Sequence, residues 1–168
     1  MEDSSCQRQA FTDKLGYSFE LGSCSVQDFQ CLIEMYDFLV PKEESQRLPP
    51  GDSQARREWV RNLLEQGLNF AVWKESKIIG HAVLLPDLVR REAEFLIFVS
   101  LPYRDRGLGT ALTKAAMARA REMKLKFIWL TVESYNFRAI NLYKKFGFVF
   151  CDEAGWERMM MARLEEGS

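Results

Sequence analysis

The chain carries a single histidine, His81, among 168 residues. Its four cysteines, Cys6, Cys24, Cys31 and Cys151, include no Cys-x-x-Cys pair. A structural zinc site needs clustered thiolate and imidazole ligands, so no metal site is expected. The same spacing offers no disulfide framework, and free thiols in a reducing, cytoplasmic compartment are the reading that follows. No apolar stretch is long enough to span a bilayer. No basic segment leads an apolar run behind Met1-Glu2-Asp3-Ser4-Ser5, so a secretory signal is not expected. Charge of one sign is also lacking: 23 basic and 24 acidic residues leave a formal net charge of -1. Such a balance gives no reason to expect a nucleic acid or a membrane surface as partner. Internal repeats and low-complexity tracts are absent as well.

What is present reads as one α/β domain over residues 15–166, preceded by a polar, loose arm over 1–14. Residues 17–24 read as a first strand. Ser25, with Asp28 three residues later, marks the start of a helix running through Leu39. Pro49-Pro50-Gly51 closes a loop over 41–51. Asp52 or Ser53 caps a second helix that ends at Gly67. Residues 69–74 and 77–85 form a hairpin around Glu75-Ser76. An apolar strand over 93–99, a helix from Leu108 to about Lys124 and a strand over 127–132 make a parallel crossover. A short helix from about Asn136 to Phe146 stops at Gly147, and strands over 148–151 and 156–164 finish the chain.

The turn between the 93–99 strand and the long helix is the richest local signal. It reads Val99-Ser100-Leu101-Pro102-Tyr103-Arg104-Asp105-Arg106-Gly107-Leu108-Gly109-Thr110. Two glycines let a ligand approach the backbone, and a helix start presents N–H groups and a favourable dipole to an anion. A phosphate-bearing cofactor is therefore the first hypothesis. A Rossmann site would need a third glycine where Leu112 stands, and a P-loop would need Gly-Lys-Ser/Thr, which the chain does not contain.

The pattern Arg104-x-x-Gly107-x-Gly109 after a strand resembles the cofactor motif of the GNAT superfamily of acyl-CoA-dependent N-acyltransferases. A second stretch, Asn136-Phe137-Arg138-Ala139-Ile140-Asn141-Leu142-Tyr143-Lys144-Lys145-Phe146-Gly147-Phe148, resembles that family's Asn-x-x-Ala-x-x-Leu-Tyr-x-x-x-Gly-Phe signature. The likeness is specific over residues 93–148, nearest to the bacterial protein-lysine acetyltransferase branch, and architectural elsewhere. It implies a mixed, mostly antiparallel central sheet of six to seven strands with helices on both faces. It implies acetyl-CoA as co-substrate, with its pyrophosphate on Arg104, Asp105, Arg106, Gly107, Leu108, Gly109 and Thr110. The pantetheine arm is expected along the backbone of Ile97, Phe98 and Val99, with an N–H there facing the thioester carbonyl. The family's Val-x-Pro order is altered here by Leu101-Pro102.

The same resemblance gives Asn136 the task of holding the arm and Tyr143 that of protonating the departing thiolate. They share one helix face, ~10 Å apart along the axis. An amine acceptor is an ammonium at neutral pH and must shed a proton before it attacks. Where some relatives place a Glu for this, Thr131 stands. Glu94, in a strand similar to the Ala-Glu-Phe strand of the lysine acetyltransferase branch, is the expected general base, with Glu92, Glu133 or water as rivals. Acetyl transfer to a primary amine in a ternary complex is the expected reaction, the amine being a protein lysine or a small molecule. A non-catalytic acyl-CoA sensor is the alternative class. Asp37, Glu43 and Glu44 are candidates for attracting a cationic acceptor, and a homodimer is compatible with the reading.

Overall fold

The computed structural model describes residues 7–39 and 49–164. Glu43 and Glu44, named above as candidate attractors, lie outside the described residues, as does Cys6. In chain order the elements are β1 (Gln9–Thr12), β2 (Ser18–Cys24), α1 (Phe29–Phe38), α2 (Ser53–Gln66), β3 (Leu68–Lys74), β4 (Lys77–Asp87), β5 (Glu92–Val99), α3 (Leu108–Glu122), β6 (Phe127–Glu133), α4 (Phe137–Lys145), β7 (Val149–Phe150) and β8 (Glu157–Arg163). Local chemistry sets most boundaries. Ser25 and Asp28 form a reciprocal capping box ahead of α1. Asp52 accepts from the Ala55 N–H at 2.8 Å to start α2. Glu75, at a φ of 58°, turns the β3–β4 hairpin.

The sheet has eight strands in the order β1-β2-β3-β4-β5-β6-β8-β7. That exceeds the expected six to seven, and the additional strand is β1, inside the segment read as a loose arm. Four residues are too few to show an alternation in sequence. Pairing with β2 and the Phe11–Phe19 ring contact at 5.7 Å hold β1 in place. All pairs are antiparallel except β5 with β6. Those two strands pair only at Glu92↔Phe127, Ala93↔Ile128 and Glu94↔Trp129, then diverge.

Helices cover both faces. On one face α3 and α4 pack over a core that includes Leu84, Phe95, Leu108, Leu112, Ile128, Leu130 and Met160. On the other, α1 and α2 bury Leu32, Tyr36, Val60, Leu64, Ala71 and Trp73 against β3 and β4. His81 is fully enclosed there, within hydrogen-bond distance of Tyr36 and Asn69. Asp37 does not wait for a ligand: its Oδ1 accepts from Arg56 Nε at 3.1 Å and Nη2 at 2.7 Å, fixing α1 to the start of α2.

Candidate active site

Strand β5 leads through a short 3-10 turn, Leu101–Tyr103, into the glycine turn. Gly107 caps α3 at a φ of 90°, a left-handed conformation that glycine adopts at no steric cost. Asp105, at 63°, is left-handed too. No side chain caps the helix, and its first backbone bond runs from Ala111 N–H to Gly107 O. The N–H groups of Leu108, Gly109 and Thr110 therefore have no intrahelical acceptor and point outward from the positive end of a 15-residue helix. A β-carbon on Gly109 would stand 3.2 Å from Leu142 Cδ2, so glycine lets α4 close on the first turn of α3.

The arginines of this turn are not equivalent. Arg104 Nε donates to Val99 O at 2.9 Å, tying the turn to the end of β5. Burial and the neighbouring Arg138 lower its pKa from the usual arginine value. Arg106 is held by groups of the chain itself. It sits 3.9 Å from the buried Asp13 carboxylate and packs over the rings of Tyr17 and Tyr103. Arg138 pairs with Asp105 at 3.0 Å and brings a further cation to the rim. Sequence reasoning passed over Arg138, although it lies inside the second motif.

Beyond Glu94, the divergence of β5 and β6 opens a cavity of about 100 Å³ lined by Phe95, Leu96, Ile97, Phe98, Thr131, Val132, Glu133, Asn136, Tyr143 and Glu157. The Ser100 N–H donates to Ile79 O in β4 at 2.9 Å. By strand alternation the Phe98 and Leu96 backbone groups also turn toward β4, and those of Phe95 and Ile97 with the Val99 N–H turn toward the opening. The alternation thus turns the Phe98 amide away from the opening, while Phe98 is among the residues lining the cavity.

Tyr143 projects from α4 into this cavity. It is only 8% exposed, and its hydroxyl has no hydrogen-bond partner among the described residues. Burial pushes its pKa well above the ordinary phenol value, so the ring stays protonated. Asn136 caps α4, its Oδ1 accepting from the Ala139 N–H at 3.3 Å. Its amide Nδ2 is left to donate toward the cleft it lines.

Four carboxylates stand nearby at different depths. Glu94 lies opposite Leu85 and Trp129, at the last paired position before the strands part, and does not line the cavity. Glu92 is one turn of the pleat further back and lies 3.9 Å from Arg90. Glu133 and Glu157, facing each other across β6 and β8, both line the cavity. Glu157 carried no recognisable motif.

The acetyltransferase (GNAT) family model matches residues 32–148, which take in both motifs and the splayed strands. The chain belongs to the GNAT acetyltransferase family. An N-alpha-acetyltransferase of Sulfurisphaera tokodaii is 43% identical over 65 residues, covering 38% of this chain and 39% of that protein. A spermine/spermidine N(1)-acetyltransferase of Bacillus subtilis is 36% identical over 70 residues, covering 40% and 46%. These matches span less than half the length of either relative. The GNAT domain of Streptomyces lividans PAT superposes with a TM-score of 0.81 at 15% identity, covering 94% of this chain and 97% of that one. The PaiA N-acetyltransferase of Thermoplasma acidophilum, solved with coenzyme A, gives 0.71 at 19%, covering 88% and 100%. The GNAT fold is thereby shown: a mostly antiparallel sheet, two helical layers and one parallel pair that opens. Among the described residues no helix is long and apolar enough to cross a membrane, and no His/Cys/Asp/Glu group could hold a metal.

Proposed function

We propose that this GNAT chain transfers an acetyl group from acetyl-CoA to a primary amine by direct attack within a ternary complex. The observation that carries the reading is Tyr143: a hydroxyl with no hydrogen-bond partner among the described residues, on a residue only 8% exposed, in a cleft whose opposite wall presents the open backbone edge of β5. Acetyl-CoA supplies an activated thioester. The N–H groups of Leu108, Gly109 and Thr110 receive its diphosphate. The open edge at Ile97 and Val99 hydrogen-bonds the pantetheine amides as an added strand would, and one of these N–H groups stabilises the oxyanion that develops at the carbonyl. Asn136 Nδ2 holds the same arm from the α4 side.

Glu94 takes the proton that the ammonium must lose before attack. It lies beneath the mouth of the cleft, on the sheet face opposite Tyr143, so base and acid act from opposite sides. Tyr143 donates its proton to the leaving thiolate. The enclosed surroundings that raise the phenol pKa disfavour a bare thiolate as well, so the thiolate's affinity for the proton rises along with the phenol's. The relatives named above act on amines, from α-amino groups to polyamines, and a protein lysine fits the same chemistry.

Incubation with acetyl-CoA and a panel of amino acids, polyamines and lysine peptides, read by release of free thiol, tests the reading. Acceptor-dependent release supports it. Coenzyme binding without release to any acceptor would instead favour a sensor role.

A further inference from the structure

Asp13 lies in the turn that joins β1 to β2. Its Oδ1 accepts from the Leu15 N–H at 2.9 Å and the Tyr17 N–H at 2.8 Å. The Asp13 N–H in turn donates to Tyr17 O at 2.9 Å. The turn thus uses one carboxylate oxygen, and an asparagine would serve it as well. The other oxygen, Oδ2, is enclosed and accepts no hydrogen bond. A buried carboxylate oxygen without a donor destabilises the fold, so the turn alone does not account for the charge.

Among the described residues the cation paired with Asp13 is Arg106, with Nη1 3.9 Å from Oδ2. Arg106 separates two left-handed residues, Asp105 at a φ of 63° and Gly107 at 90°. A residue other than glycine keeps that conformation only where its surroundings impose it. Both sides of this segment are tied down. Arg138 pairs with Asp105 at 3.0 Å, while Asp13 and the rings of Tyr17 and Tyr103 hold Arg106. Lys74 Nζ stands over the same two rings, at 5.8 and 5.3 Å. Two cations so close repel, and the Asp13 charge offsets that repulsion. The outward amides of Leu108, Gly109 and Thr110 follow directly in the chain.

We infer that Asp13 is a positioning residue for the coenzyme. Acting through Arg106, it fixes the Asp105–Gly107 segment so that the first amides of α3 are aligned before the diphosphate arrives. The inference rests on the acetyl-CoA reading and extends the binding site to the β1–β2 turn. Preformed donors bind an anion more tightly than donors that must first be ordered. The sign of the effect separates this role from a bystander's. Asp13 puts a negative charge behind an anion's seat, so by charge alone its neutralisation would tighten binding. Positioning demands the reverse.

Calorimetric titration of the full chain with CoA, and with pantetheine as the arm without its diphosphate, tests this. Asp13→Asn keeps the acceptor that the turn needs and removes the charge. It should weaken CoA binding about fivefold or more and leave pantetheine binding unchanged. KM for acetyl-CoA should rise by a similar factor while kcat at saturating coenzyme holds. In an Arg106→Gln background the same substitution should bring no further loss; a full second loss overturns the route through Arg106. Tyr17→Leu alters an exposed side chain of the same turn and should weaken CoA binding in the same direction. It carries the test if thermal unfolding shows that Asp13→Asn does not fold. Unchanged or tighter CoA binding in every variant that folds, or equal weakening of CoA and pantetheine, overturns the positioning role. The parent judges the diphosphate seat separately. CoA binding no tighter than pantetheine there removes the seat and the inference with it. A clear advantage for CoA that the variants leave intact keeps the seat and removes only the role of Asp13.

Discussion

The Tyr36 hydroxyl lies 2.6 Å from Nδ1 of His81, deep between α1 and β4. Asn69 decides the tautomer. Its Nδ2 donates to Leu63 O at 2.9 Å and Gly67 O at 3.0 Å, so its Oδ1 faces His81 Nε2 at 2.8 Å and must accept. Nε2 therefore carries the proton and Nδ1 accepts from Tyr36. Both rings are fully enclosed, and Tyr36 also packs edge-on against Trp59 and Phe98, which carries this rigid cluster to the wall of the cleft.

Enclosure lowers the His81 pKa to about 3, because burial penalises the imidazolium. The unfolded chain binds a proton near pH ~6.5 that the folded chain refuses. Stability therefore falls as pH drops through the unfolded value toward the folded one, by roughly 1–2 kcal/mol between about pH 7 and about pH 5. Denaturant titrations across that range check the slope. A profile as steep in His81→Gln as in the parent would assign the effect to other groups.

Tyr143→Phe removes a hydroxyl that no group among the described residues bonds, so the protein should lose less than about 0.5 kcal/mol of stability. Coenzyme affinity should hold, while kcat falls on the order of 10²-fold, as expected for loss of a positioned acid. Single-turnover rates with the best acceptor decide it. An unchanged rate removes Tyr143 from proton transfer.

Glu94→Gln should depress kcat/KM most at low pH, where free amine is scarcest and a base matters most. The variant's pH–rate plot should steepen toward proportionality with the deprotonated amine. If its shape matches the parent's, Glu133 or water becomes the base.

Gly107→Ala places a β-carbon in open space at a φ of 90°, so strain rather than collision sets its effect. A cost of about 1 kcal/mol is expected. Because this residue aims the first amides of α3, coenzyme affinity should fall with stability. Denaturation midpoints and CoA titrations on the same variant test both halves together.

The site was legible where its chemistry is local. The glycine turn and the Asn136–Tyr143 stretch each bring flanking elements and functional atoms together within one short segment, so their resemblance to the family's motifs picked them out. Helix boundaries at Ser25, Asp52 and Gly67 followed from capping for the same reason. What escaped depends on distant pairing. β1 has four residues and no readable period. Arg106 is held by Asp13 and Tyr17, which precede it by most of the chain's first hundred residues. The turning of the Phe98 amide toward β4 follows from register, which side-chain patterns report only as face. Glu157 reaches the cleft solely because β8 pairs with β6 at Glu133.

The central claim is that the diphosphate of a CoA thioester seats on the exposed amides opening α3. Amide hydrogen exchange at residues 105–111, with and without saturating acetyl-CoA, tests it most directly. Marked slowing concentrated at Leu108, Gly109 and Thr110 is the expected result. Unchanged exchange there while the ligand is demonstrably bound would contradict the account.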